Sequence, residues 1–90
     1  MLLWTSLALS DLDNILKYFS EKDETITINL AKAFDKAISN IENFPEIGIL
    51  GRKEQTRELF LSQYPYVIIY RINKHTIEIV RLIHTHQQWI

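Results

Sequence analysis

The stretch Tyr66-Val67-Ile68-Ile69-Tyr70-Arg71-Ile72-Asn73-Lys74-His75-Thr76-Ile77-Glu78-Ile79-Val80-Arg81-Leu82-Ile83-His84-Thr85 decides the fold. Two runs rich in β-branched and aromatic residues flank Lys74-His75, a turn-compatible pair. The stretch therefore predicts an antiparallel hairpin of strands over 66–73 and 76–85. With a two-residue loop, Asn73 opposes Thr76, Arg71 opposes Glu78 and Ile69 opposes Val80. One face then holds Val67, Ile69, Arg71, Glu78, Val80, Leu82 and His84. The other holds Tyr66, Ile68, Tyr70, Ile72, Ile77, Ile79, Arg81 and Ile83. The second face is the more apolar, so it is expected to carry a second layer. The first is expected to stay open. A slip of one residue in either strand would move all its side chains across.

Upstream the period changes. Thr56–Ser62 continues the strand pattern, and residues 45–55, with Pro45, Gly48 and Gly51, read as a loop. Before the loop the apolar residues recur at three- and four-residue steps. Ala8, Leu12, Ile15 and Phe19 predict a helix at about 6–21, capped by Thr5 or Ser6. Leu30, Ala31, Phe34, Ala37, Ile38 and Ile41 predict another at about 25–43, stopped by Pro45. The polar segment Glu21-Lys22-Asp23-Glu24-Thr25 between them is short enough for an antiparallel αα-hairpin. Leu2-Leu3-Trp4 is long enough for one strand. The order is β-α-α-β-β-β: an α+β domain over residues 1–90, with the helix hairpin on one face of a small antiparallel sheet.

Composition narrows the function. The chain has 90 residues, 47% of them hydrophobic, 23% charged and none of them cysteine. One domain fits that length, and neither disulfides nor a thiolate zinc site can form. A net charge of −1 argues against a generic polyanion binder, so no direct nucleic-acid binding is expected. The charge is uneven, however. Residues 1–45 hold four basic and seven acidic side chains; residues 46–90 hold six and four. No apolar run approaches the ~20 residues of a membrane-spanning helix. Met1-Leu2-Leu3-Trp4 makes a poor signal segment. A cytoplasmic protein is the expectation.

Several side chains invite a chemical reading. His84 could serve as general acid or base if Glu58, Glu78 or Arg71 stood within hydrogen-bond reach. His84 and His86 share a strand face, but two imidazoles without a third ligand do not make a metal site, and none is expected. No cofactor motif is present. Arg71 and Glu78, directly opposed, form a cross-strand ion pair or a polar contact for a partner. Arg57 and Arg81, with Arg52 and Lys53, carry most of the positive half.

The ordered set Trp4-Thr5, Ala8 with Asp11-Leu12, Ile15, Tyr18, Phe44-Pro45 with Ile47-Gly48, Thr56-Arg57-Glu58-Leu59, Tyr66–Arg71, and Ile83-His84 with Trp89 resembles the RelE/ParE superfamily of toxin–antitoxin toxins. It looks closest to the ParE-like branch. The resemblance implies the fold already read from periodicity and a toxin held inactive by a cognate antitoxin. It also implies inhibition of DNA gyrase without a catalytic step. RelE-like relatives, which cut mRNA on the ribosome, place an arginine three residues before the strand tyrosine. Here that position is Val67, and the chain ends Gln87-Gln88-Trp89-Ile90. The alternatives are such an endonuclease, using His84 with Arg57 or Arg81, and an inactive relative that only binds its partner. The resemblance suggests that the antitoxin covers Val67, Ile69, Val80 and Leu82 around Arg71 and Glu78. Trp89 would dock on its own sheet or into a partner.

Overall fold

The computed structural model of the protein describes residues 1–88. The order is β1 (Leu2–Trp4), α1 (Ser6–Ser20), α2 (Glu24–Asn43), β2 (Ile49–Leu50), β3 (Arg57–Phe60), β4 (Tyr66–Asn73) and β5 (Thr76–His84). Two helices pack on a five-stranded sheet of order β1-β5-β4-β3-β2. The α+β architecture matches the expectation, with two additions. A two-residue strand, β2, forms inside the segment expected to be loop and pairs with β3. The sheet is mixed rather than wholly antiparallel, because β1 runs parallel to β5. A parallel neighbour needs a long connection, and the one from β1 to β5 runs through both helices and the antiparallel strands β2, β3 and β4.

Local chemistry sets the helix ends. Thr5 caps α1, its hydroxyl oxygen accepting from Ala8 N at 3.0 Å. Asp23 caps α2 by accepting from Thr25 N at 2.9 Å and Ile26 N at 3.3 Å. At the far end Phe44 leaves helical geometry, with φ −137 and ψ 76, immediately before Pro45.

The apolar layer between helices and sheet is the main core. Leu30, Phe34, Ala37, Ile38 and Ile41 of α2 meet Tyr66, Ile68 and Tyr70 of β4 and Ile77, Ile79 and Leu82 of β5. Phe34 is 2% exposed, and its ring lies 5.8 Å from that of Tyr66. The α1 stripe is shallower. Ala8 is buried, while Leu12, Ile15, Leu16 and Phe19 are half-buried against the core.

The β4–β5 register corrects the predicted faces. Asn73 opposes Thr76 and Arg71 opposes Glu78 as expected, but Ile69 opposes Arg81, not Val80. Val80 is the extra residue of a β-bulge, and from there the alternation inverts. Leu82 leaves the expected open face and joins the main core, while Ile83 joins Val67 and Ile69 on the opposite face. His84 changes sides too, packing edge-on against Tyr66 at 5.5 Å. The cause lies at the end of β1. Beyond Trp4 the chain turns into α1, so side chains take over the edge of β5. The Thr5 hydroxyl donates to Val80 O at 2.8 Å, and Asp11 Oδ2 accepts from Leu82 N at 3.0 Å.

Candidate partner-binding surface

The face away from the helices carries Val67, Ile69 and Ile83, each fully buried, with Val80 half-buried against them. Arg71 and Glu78 stand at one end of this face, Arg71 Nε donating to Glu78 Oε1 at 2.5 Å. Both remain partly exposed. Glu58 shares the face through its register with Ile69. It is 4% exposed and accepts from Arg52 N at 2.8 Å and Arg52 Nε at 3.0 Å. A carboxylate can be buried there because charge-assisted bonds replace its water. Its burial was not readable from the sequence, where Arg57-Glu58-Leu59 looked like an ordinary strand fragment.

Val67, Ile69 and Leu82 are therefore too buried to serve as surface anchors, whereas Arg71, Glu78 and Val80 stay within a partner's reach. Trp89 lies outside the described residues. The large apolar side chains that do face solvent are others. Leu3, Leu7, Leu9 and Tyr18 lie along β1 and α1, and Phe44, Ile47, Ile49, Leu50 and Phe60 lie around β2 and β3. The signal for the α1 residues was present: Leu7 and Leu9 fall outside the Ala8-Leu12-Ile15-Phe19 stripe, so a helix buried on one face must expose them.

Arg81, Arg57 and His84 are not brought together. Arg81 Nε and Nη2 donate to the two oxygens of Asp11 at 2.7 Å and 3.0 Å. That bidentate bond is the main reason the guanidinium pKa is raised. Arg57 Nη1 donates to Gly48 O at 2.8 Å. His84 lies opposite Tyr66 and Arg57 opposite Tyr70, on strands flanking β4. That separates them by about 13 Å along the sheet and about 9.6 Å across it. His84 has a local role: its Nδ1 accepts from His86 N at 3.2 Å, and its own N donates to Gln87 Oε1 at 3.2 Å. Among the described residues no group of three His, Asp or Glu side chains could hold a metal ion.

A latch fixes the segment between α2 and β2. The Tyr70 hydroxyl donates to Pro45 O at 2.6 Å and accepts from Gly48 N at 2.9 Å. Burial pushes the Tyr70 pKa up, against the lowering effects of the Gly48 bond and the Arg57 charge.

The sheet order, the helix hairpin and this latch define a small α+β domain. The sequence profile of the ParE toxin of type II toxin–antitoxin systems, parDE, matches residues 2–89. The chain belongs to the ParE toxin family. It is 37% identical over 86 residues to a protein of Sinorhizobium fredii (strain NBRC 101917 / NGR234) named "Putative toxin Y4kP", covering 96% of this chain and 88% of that one. It also superposes on a chain of the chromosomal ParDE TA system from P. aeruginosa with a TM-score of 0.83. That match covers 92% of each chain at 20% identity, a likeness of fold.

Proposed function

We propose that this ParE-type toxin inhibits DNA gyrase in the cytoplasm, arrests replication and is neutralised by a cognate antitoxin. Family membership supports the toxin and the antitoxin partner. The observation that carries the choice of target is Val67. It occupies the position where mRNA-cutting relatives place an arginine, and its side chain is fully buried. A phosphate-facing guanidinium would give bidentate, charge-assisted contacts that valine cannot make. The separation of His84 from Arg57 and the bidentate bond of Arg81 to Asp11 support the same choice, because phosphoryl-transfer chemistry needs its acid, base and cations within hydrogen-bond reach of one phosphate.

The antitoxin is proposed to contact the face of Arg71, Glu78 and Val80. Its apolar anchors would use the exposed side chains that flank this face, Leu3 of β1 and Phe60 of β3. Leu3 shares the face through its register with Glu78, and Phe60 through its register with Val67.

The deciding experiment runs purified gyrase supercoiling beside mRNA cleavage on programmed ribosomes, each with and without the toxin. Loss of supercoiling with intact mRNA is expected. Efficient codon-linked cleavage, abolished by His84→Ala, would instead make the protein an endonuclease.

A further inference from the structure

β4 outlasts its partner. β3 pairs with it from Phe60 opposite Val67 to Arg57 opposite Tyr70, and then the chain leaves. Along this ladder Leu61 N donates to Tyr66 O at 2.9 Å. Backbone groups alternate sides along a strand, so those of Tyr66, Ile68, Tyr70 and Ile72 all face β3. Gln55, which would oppose Ile72, has φ 66 and turns the chain away. Ile72 is left presenting its N–H and C=O to a notch in the sheet, with 38% of its surface exposed.

The notch opens into a cleft of ≈ 990 Å³ where Lys53, Arg57, Arg71 and Lys74 face Glu54 and Glu78. Four cations against two carboxylates leave the cleft net positive. Arg57 is held by the carbonyls of Gly48 and Glu46, not by an acid. Among the described residues no ion pair engages Arg57 or Lys74. Leu50, 79% exposed, adds an apolar wall.

We propose that this notch receives an extended, carboxylate-bearing segment of the antitoxin. The segment's backbone pairs with Ile72 N–H and C=O, and its carboxylates meet Arg57 and Lys74. This rests on the antitoxin reading above. The exposed donor and acceptor select the form of the occupant. A strand supplies both complementary groups, whereas a helix has already used its own. A nucleic-acid phosphate could take the N–H but would set its oxygens against the Ile72 carbonyl.

The test uses the full-length toxin with the full-length antitoxin, the product of the neighbouring reading frame. Amide hydrogen exchange is followed in the free toxin and in the complex, and affinity is measured for the wild type and for Lys74→Gly. Lys74 has φ 58, so glycine keeps the backbone there and removes only the side chain. Exchange of the Ile72 amide is expected to slow at least about tenfold on complex formation, as for a newly paired strand. Lys74→Gly is expected to weaken binding about threefold to fivefold at low salt, and less at high salt. A complex that forms with Ile72 exchanging at its free rate would overturn the notch assignment and leave the antitoxin reading standing. Protection of Ile72 with unchanged affinity of Lys74→Gly would overturn the carboxylate part. If no complex forms at all, the antitoxin reading falls, and this assignment with it.

Discussion

Tyr70 shows how one side chain joins three parts of the chain. Its ring is fully buried in the main core, and its hydroxyl ties Pro45 and Gly48 to β4. A Cβ on Gly48 would lie 2.7 Å from that hydroxyl, so glycine is required by the close approach. Tyr70→Phe should therefore cost roughly 1–3 kcal/mol, because Gly48 N and Pro45 O lose their partner. Urea denaturation would measure it. The hydroxyl also makes stability fall in alkali. Burial raises its folded pKa above the ordinary 10.0. Below pH 10 both states hold the proton and the full stability is present. Above it the unfolded chain ionises first, so stability drops until folded Tyr70 titrates as well. Tyr70→Phe should reduce this alkaline slope without abolishing it, because burial raises the Tyr66 pKa too. Phe34→Ala, at 2% exposure, should cost roughly 3–5 kcal/mol in the same assay.

At the scale of elements, what could be read from the sequence depended on whether its signal was local. Helix 6–21 against the observed 6–20, and 25–43 against 24–43, were legible because caps, Pro45 and the apolar stripe act over a few residues. The hairpin turn was legible for the same reason, and the pairs Asn73–Thr76 and Arg71–Glu78 followed. The bulge at Val80 was not. Ile79-Val80-Arg81-Leu82-Ile83 alternates no better in one register than in the other, and what selects the bulge is Thr5 and Asp11, some seventy residues away. The faces of Arg81, Leu82, Ile83 and His84 were therefore misassigned together, Arg81 now opposing Ile69. β2 escaped notice because two residues carry no period. Asp11 is the residue on which the corrected arrangement rests. It accepts from Leu82 N and from Nε and Nη2 of Arg81, with the Asp11 side chain 14% and the Arg81 side chain 22% exposed. Asp11→Ala leaves a half-buried guanidinium and a strand-edge N–H without that partner. It should cost roughly 2–4 kcal/mol, and exchange of the Leu82 amide should quicken before other β5 amides do.

The whole molecule is electrically lopsided, and its topology turns that asymmetry into a spatial one. The net −3 of residues 1–45 sits mostly on the helix hairpin. The net +2 of residues 46–90 gathers on the sheet, where Asp11 already neutralises Arg81. The other basic side chains of this half, Arg52, Lys53, Arg57, Arg71 and Lys74, cluster where β2, β3 and the β4–β5 turn meet, with Arg52 paired to Glu58 and Arg71 to Glu78. A partner with an acidic segment should therefore be drawn to that end while still diffusing. The field reaches only about 10 Å at 0.1 M salt and about 3 Å at 1 M. Buried apolar contacts formed afterwards escape this screening. Stopped-flow association with the antitoxin should thus slow by about tenfold or more between low salt and 1 M, with the dissociation rate changing far less. Removing positive charge at Lys74, which no ion pair engages among the described residues, should flatten the salt dependence of association. Removing an exposed apolar anchor such as Phe60 should leave that dependence intact and speed dissociation. Association that ignores salt would show that charge plays no part in bringing the two proteins together. Dissociation that rises as steeply as association falls would show that the contacts holding the complex are themselves exposed ion pairs.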